Sequence, residues 1–311
     1  MLPHLCFDGP QGAAVRAKAE ETFLGVAESA LTRDTDWGIG LPGPAGRSVY
    51  SWVDALLAKV SFLGPGREAD WWKDDGVRRI FFLGMDGVPF YGALFPALLL
   101  AQDEGYSISN WTMLPNEVFI YEGGVCSKST GTGIWLQEAL AVLEADFWRF
   151  YVFHNYARSE KDADFRWEKF AEAVNRTLLT GLETSVQRSG AGPADAGRLK
   201  AVTDLLLGYD TAGAFRALFD LLLDPGLTRA TLVQALPLLA CFVPGVAERV
   251  RDVLEGRTQR VFDRPPISHA EIRARYQDLV DQRRSGQSLA EEITNLRADA
   301  LCVCPINLKE Q

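Results

Sequence analysis

The chain has 311 residues, 47% hydrophobic and 23% charged, which excludes a disordered or low-complexity polymer and allows one or two packed domains. Its 32 basic and 41 acidic side chains give a net charge of −9, which argues against a broad electrostatic grip on nucleic acid, though not against a local one. Five scattered cysteines, with Cys302-Val303-Cys304 at the wrong spacing for a zinc knuckle, point to a reduced compartment, and a cytoplasmic location is expected. Residues 1–10 lack the basic start of a signal peptide. The apolar run 93–101 is too short to span a bilayer, so no membrane is expected.

Residues 13–31 read as a helix, with Val15, Ala19, Phe23, Val26 and Ala30 at helical spacing. The turn-rich stretch 41–46 precedes 48–53, which has strand character. A second break at 63–66 is followed by Asp70-Trp71-Trp72-Lys73, expected to open a helix. Residues 79–83 form a short apolar run, met at once by Gly84 and then by helical spacing to 101. Strand, glycine, helix is the βα unit of a parallel sheet. Extended pieces at 108–113 and 117–121 lead into Tyr121-Glu122-Gly123-Gly124-Val125-Cys126-Ser127-Lys128-Ser129-Thr130-Gly131-Thr132-Gly133. Glycines let a backbone approach a polyphosphate closely, and lysine adds a point charge on a flexible stem. The same composition also describes a plain surface loop.

Beyond the loop the pattern is helical at 134–143, 145–155, 167–187, 197–207, 212–223, 228–241 and 244–254. Breaks at 189–193 and 224–226 separate antiparallel helices. Ser268 with Glu271, and Ser288 with Glu291, fit capping boxes.

Three segments in this order resemble the second half of the catalytic domain of methionyl-tRNA synthetases. They are Val49-Tyr50-Ser51-Trp52-Val53-Asp54-Ala55, then Phe81-Phe82-Leu83-Gly84-Met85-Asp86, then Ser127-Lys128-Ser129. The family reads Val-Trp-Phe-Asp-Ala, Phe-x-Gly-Lys-Asp and Lys-Met/Phe-Ser-Lys-Ser at similar spacings. The resemblance runs from about 31 to 256. It implies that Gly84 and Asp86 hold the adenosine ribose of ATP, with Mg2+ accompanying the phosphates. A helix N-cap is the other reading of Asp86. It implies that Lys128, flanked by Ser127 and Ser129, stabilises the pyrophosphate leaving group. Two family lysines are Met85 and Val125 here.

The implied amino-acid pocket comprises Trp52, Leu56, Lys59, Gly87 and Tyr91. Leu56, Lys59 and Tyr91 stand where the family has proline, tyrosine and histidine. Trp52 also reads as a buried structural residue. A buried Lys59 asks for an acceptor, which implies a polar or acidic amino acid rather than methionine. A lysine stem snorkelling to solvent is the alternative. In the helical region the family's anticodon-reading Asn-x-x-x-Arg falls on Thr184 and Arg188, and 224–227 has no aromatic. Stacking and base-edge contacts are both reduced, so methionine anticodon recognition is not expected.

His4, His154 and His269 are the three histidines, and none sits in the family's His-Ile-Gly-His signature. The first half of the catalytic domain and its zinc-bearing insertion are missing from the pattern. The implied fold is α/β followed by all-α: a partial Rossmann-like parallel sheet, then an antiparallel helical bundle. The expected organisation is 1–30 N-terminal helix, 31–158 catalytic half-domain, 159–255 bundle and 256–311 helical tail. The implied activity is ATP-dependent amino-acid activation, with a partner chain or domain supplying the missing half. The acceptor is expected to differ from tRNA; relatives joined to cupin domains serve natural-product pathways that build nitrogen–nitrogen bonds. A non-catalytic scaffold subunit and a split enzyme that still charges tRNA are the alternatives.

Overall fold

The computed structural model describes residues 12–25, 30–43, 46–116, 118–127, 130–158 and 163–284. Lys128, Ser129, the Ser288 capping box and Cys302-Val303-Cys304 lie outside the described residues. Packing divides the chain between Val118 and Phe119.

In the first unit, helix α1 (Gly12–Gly25) buries Val15 and Ala19. It is shorter than the helix expected over 13–31. By Thr32 the chain is extended, as β1 (Thr32–Asp34), pairing antiparallel with β2 (Arg47–Val49). The strand expected over 48–53 stops at Val49. Helix α2 (Ser51–Ser61) takes over, because Val53, Leu56 and Val60 bury one face at helical spacing. The helix expected to open at Asp70 instead closes there: α3 is the single turn Glu68–Trp71, and Trp72 turns into the core.

Strand β3 (Arg79–Gly84) follows. It leads through a 3-10 turn (Met85–Gly87) and a π-helical turn (Phe90–Leu94) into α4 (Phe95–Leu100). Strand β4 (Trp111–Asn116) returns parallel to β3, in register from Arg79 opposite Trp111 to Gly84 opposite Asn116. A parallel pair needs such a crossover. The extended segment therefore lies later than the 108–113 expected. Leu56, Val88, Phe95, Leu99, Trp111 and Met113 form this unit's core. Gly92 permits close packing, since a Cβ there would lie 3.0 Å from the Ala19 methyl. The other face of β3 is open, with Phe82 71% exposed.

In the second unit, β5 (Phe119–Tyr121) and β6 (Gly124–Val125) pair antiparallel. The turn between them has φ of 48° at Glu122 and 83° at Gly123, the doubly positive pattern of a tight hairpin. Helices α5 (Leu136–Val142) and α6 (Ala145–Arg158) come next, then β7 (Ala163–Phe165), parallel to β5. This short strand was not anticipated. It ties the segment before the loop to the helices after it, which is why packing does not divide at the expected 158. Helix α7 (Trp167–Ala173) continues through a π-helical stretch (Val174–Leu182) into α8 (Glu183–Arg188).

Helices α9 (Ala196–Leu207), α10 (Thr211–Leu222), α11 (Arg229–Phe242), α12 (Pro244–Leu254) and α13 (His269–Arg284) complete the described bundle. Asp195, Asp210 and Thr228 cap α9, α10 and α11 through side-chain oxygens accepting from Arg198, Gly213 and Thr231 N–H groups. The Ser268 cap holds, its Oγ accepting from Glu271 N–H at 3.4 Å. Phe150, Phe165, Trp167, Phe170, Leu222 and Leu239 mark an aromatic-rich core. No helix among the described residues is long and apolar enough to cross a membrane.

Candidate functional site

The carboxyl end of β3 is the part of the first unit where a ligand is expected, because open α/β sheets bind beyond the carboxyl ends of their strands. Gly84 is extended there (φ −77°, ψ 156°) and is the N-cap of the following turn, so helix capping does not account for Asp86. A Cβ at residue 84 would lie 2.3 Å from Asp86 Oδ1. The carboxylate thus folds back over the strand end, into space only glycine leaves. Gly84 and Asp86 are both exposed, whereas Gly87 is buried, its Cβ position 3.0 Å from Leu83 Cδ1.

Trp52, on α2, stacks on Phe90 with ring centroids 3.9 Å apart and planes 7° from parallel. Phe90 and Tyr91 lie on the π-helical turn that follows Gly87. The structure therefore brings Trp52 against the segment carrying Gly87 and Tyr91. Tyr91 packs on Phe81 at 5.4 Å and edge-on to Phe95 at 6.3 Å. Leu56 is fully buried and belongs to the core.

Lys59 behaves differently. Its Nζ donates back to the Ala55 carbonyl at 3.0 Å, and it stands 5.5 Å from the Phe62 ring centroid. It lines a cleft of about 410 Å³ with Phe62, Trp71, Trp72, Ile80 and Phe81. Those β3 residues come from the amino half of the strand, away from Gly84 at its carboxyl end. Lys59 is a lysine whose stem covers apolar surface and whose charge is met by its own helix.

In the second unit, Ser127 and Thr132 exchange backbone hydrogen bonds, N–H to O 2.9 Å and 3.0 Å, and so close the base of the Ser-Lys-Ser loop. Thr130 N–H donates to Ser127 Oγ at 3.4 Å, and the Thr130 and Thr132 hydroxyls lie 3.0 Å apart. Gly131 and Gly133 take φ of 69° and 135°, which glycine reaches without strain. Helix α13 approaches this base. Arg273 pairs with Glu122 at 2.8 Å. The Tyr276 hydroxyl donates to Gly133 O at 3.1 Å and accepts from Trp135 N–H at 2.9 Å. Burial pushes the Tyr276 phenol up to about 12. Sequence reasoning placed this helix in a tail; nothing in its spacing signals a contact with residues so far away.

Thr184 and Arg188 line one cleft of about 950 Å³, together with Arg229, Arg260, Thr258 and Gln259. None of its described lining side chains is aromatic. The buried Glu183 carboxylate closes the floor, accepting from Val261 and Phe262 N–H at 2.9 and 3.0 Å. No group of three histidine, cysteine, aspartate or glutamate side chains among the described residues is placed to hold a metal ion.

The family model described as tRNA synthetases class I (M) matches residues 11–190. A methionine–tRNA ligase of Caldivirga maquilingensis is 43% identical over 181 residues, covering 53% of this chain and 31% of that protein. The methionine–tRNA ligase of Korarchaeum cryptofilum is 42% identical over 175 residues, with the same coverage of 53% and 31%. The chain thus spans about a third of the length of these curated relatives. Among solved structures, Mycobacterium tuberculosis methionyl-tRNA synthetase bound by methionyl-adenylate superimposes with a TM-score of 0.61 at 19% identity, over 85% of this chain and 64% of that one. At that identity the likeness is one of fold.

Proposed function

We propose, from the premise that this chain belongs to the family of tRNA synthetases class I (M), that it forms part of an ATP-dependent amino-acid-activating ligase. The observation that carries the reading is the Gly84–Asp86 geometry at the carboxyl end of a parallel strand, within the family's matched segment. The reaction is adenylation. An amino-acid carboxylate oxygen attacks the α-phosphorus of MgATP and the α–β anhydride bond breaks. Pyrophosphate leaves with the electron pair. Asp86 accepts hydrogen bonds from the ribose hydroxyls. Lys128, with Ser127 and Ser129, neutralises charge developing on the leaving group.

Trp52, Phe90 and Tyr91 offer the amino-acid side chain an aromatic wall, which fits an apolar substrate such as methionine. Lys59, folded onto its own helix, supports such an apolar substrate over the polar or acidic one expected from the sequence. The remaining strands of the catalytic domain come from another domain or chain, against the open face and edge of β3. The Thr184–Arg188 cleft offers guanidinium groups without a ring for base stacking, which favours a small nucleophile over a tRNA read through its anticodon.

Amino-acid-dependent ATP–pyrophosphate exchange tests the reading, with the chain alone and with a complementing catalytic half. Exchange is expected only in the complemented enzyme, with methionine ahead of aspartate and glutamate. Lys128→Ala should lower it by about one to three orders of magnitude. An unchanged rate in that variant overturns the assignment of the loop, and tight, anticodon-dependent binding of methionine tRNA in a filter assay overturns the assignment of the acceptor.

A further inference from the structure

The loop between β6 and α5 is fastened from a distance. Its attachments to α13 fall before and within it. Ahead of the loop, in the β5–β6 turn, Glu122 pairs with Arg273 at 2.8 Å. On the trailing arm, Gly133 and Trp135 share the Tyr276 hydroxyl. Gly131 O accepts from Arg284 Nη2 at 3.4 Å, and a Cβ on Gly131 would lie 2.7 Å from that nitrogen, so the guanidinium uses space that only glycine leaves. One turn further on, Glu138, fully buried, is paired with Arg283 Nε at 2.9 Å, and the same guanidinium covers the Trp135 ring at 4.2 Å.

Helix α13 is itself anchored. Ile272, Tyr276, Leu279 and Val280 are buried, and the Tyr276 ring meets Trp167 at 5.3 Å. One face of the helix therefore joins the core while its polar residues reach the loop. A helix that only completed the bundle would need the first set of contacts and not the second.

We propose that α13 is the positioning element of the Ser-Lys-Ser loop, with Tyr276, Arg273 and Arg284 as positioning residues that fix the backbone on either side of it. None of them touches the reacting atoms. The catalytic consequence rests on the reading of the loop as a phosphate site; the mechanical one does not. Residues 269–284 hold the loop base in one pose, and the phosphate contacts depend on that pose. Losing α13's polar contacts loosens the loop without unfolding the bundle.

The test is amide exchange by mass spectrometry on the full chain, following peptides across 122–138 and, as reference, across α9–α12. Wild type is compared with Tyr276→Phe, Arg273→Ala and Arg273→Lys, each with and without MgATP. Tyr276→Phe should speed exchange in 122–138 about tenfold, the scale of one or two lost hydrogen bonds, and leave α9–α12 unchanged. Arg273→Ala, at an exposed position, should give a smaller local rise that Arg273→Lys reverses. The MgATP concentration that half-protects the loop should rise about fivefold or more in Tyr276→Phe.

Wild-type exchange rates in 122–138 for both Tyr276→Phe and Arg273→Ala overturn the proposal, as does an equal rise throughout α9–α12. A local rise with no protection by MgATP in wild type leaves the positioning role standing and removes the phosphate-site reading. Protection by MgATP with no local rise does the reverse.

Discussion

Gly84 separates binding from stability. Its backbone angles suit any residue, so Gly84→Ala should melt within about 1 kcal/mol of wild type. The new methyl would displace the Asp86 carboxylate, and adenosine affinity, read by calorimetry, should fall about tenfold or more if that carboxylate holds the ribose. Glu183 shows the opposite division. Its carboxylate serves two buried backbone N–H groups, and Glu183→Ala should cost about 2–4 kcal/mol in urea unfolding.

Asp146 gives a pH test. Burial raises its carboxyl above the usual 3.8, only partly offset by the hydrogen bond from Val246 N–H at 2.7 Å. A raised value means the protonated form is favoured in the fold. Its stabilising contribution is present below 3.8 and is lost as pH rises through the folded value. Asp146→Asn should therefore gain thermal stability relative to wild type as pH rises from 3.8; a constant gap contradicts this. At this scale the turn after β3 was legible, because an apolar strand ending in glycine leaves few geometries; the ribose role of Asp86 came from the family resemblance alone. The fate of Lys59 was not. Sequence gives the face of a helix a lysine occupies, but its rotamer is decided by the nearest acceptor, here the Ala55 carbonyl.

Among the elements, the bundle helices were read nearly to their ends, because apolar spacing and polar caps agree there. Asp210→Ala should cost about 1 kcal/mol through the lost cap on α10, measured by urea unfolding. The π-helical stretch Val174–Leu182 had no signature in the apolar spacing. Gly181 lies inside it, and a Cβ there would meet Arg176 O at 2.9 Å and Leu223 Cδ2 at 3.0 Å. Gly181→Ala should therefore destabilise by about 1–3 kcal/mol, against the usual gain from replacing a helical glycine. Short strands were the main losses. Three residues of β7 carry too little periodicity to announce themselves, and β2 yields to α2 at Val49 because the burial of Val53, Leu56 and Val60 outweighs the β-branched character of 48–53.

Across the whole molecule, the two cores share no residue, and the second is far the larger. A fragment spanning 119–311 should fold alone, with helical circular dichroism and one cooperative melt. A fragment spanning 1–118 should bind a hydrophobic dye, since Phe82, Phe62 and Trp71 are 71%, 73% and 45% exposed. A disordered 119–311 fragment contradicts the division at Val118. The order of the three segments was enough to indicate the family. The pairing of β5 with β7 across the loop depends on contacts that no local pattern encodes, so the division of the chain had to come from the structure.

The fastening of the loop by α13 also sets a timetable. Glu122 and Arg273 are 151 positions apart. At ribosomal rates of about 5–20 residues per second, about 8–30 s separate the synthesis of the two residues. For most of that interval the β6–α5 segment exists without the helix that holds it. The loop is then among the last parts of the nascent chain to settle, and a ribosome stalled between α12 and α13 leaves a product whose earlier helices can form while the loop lacks its fastening.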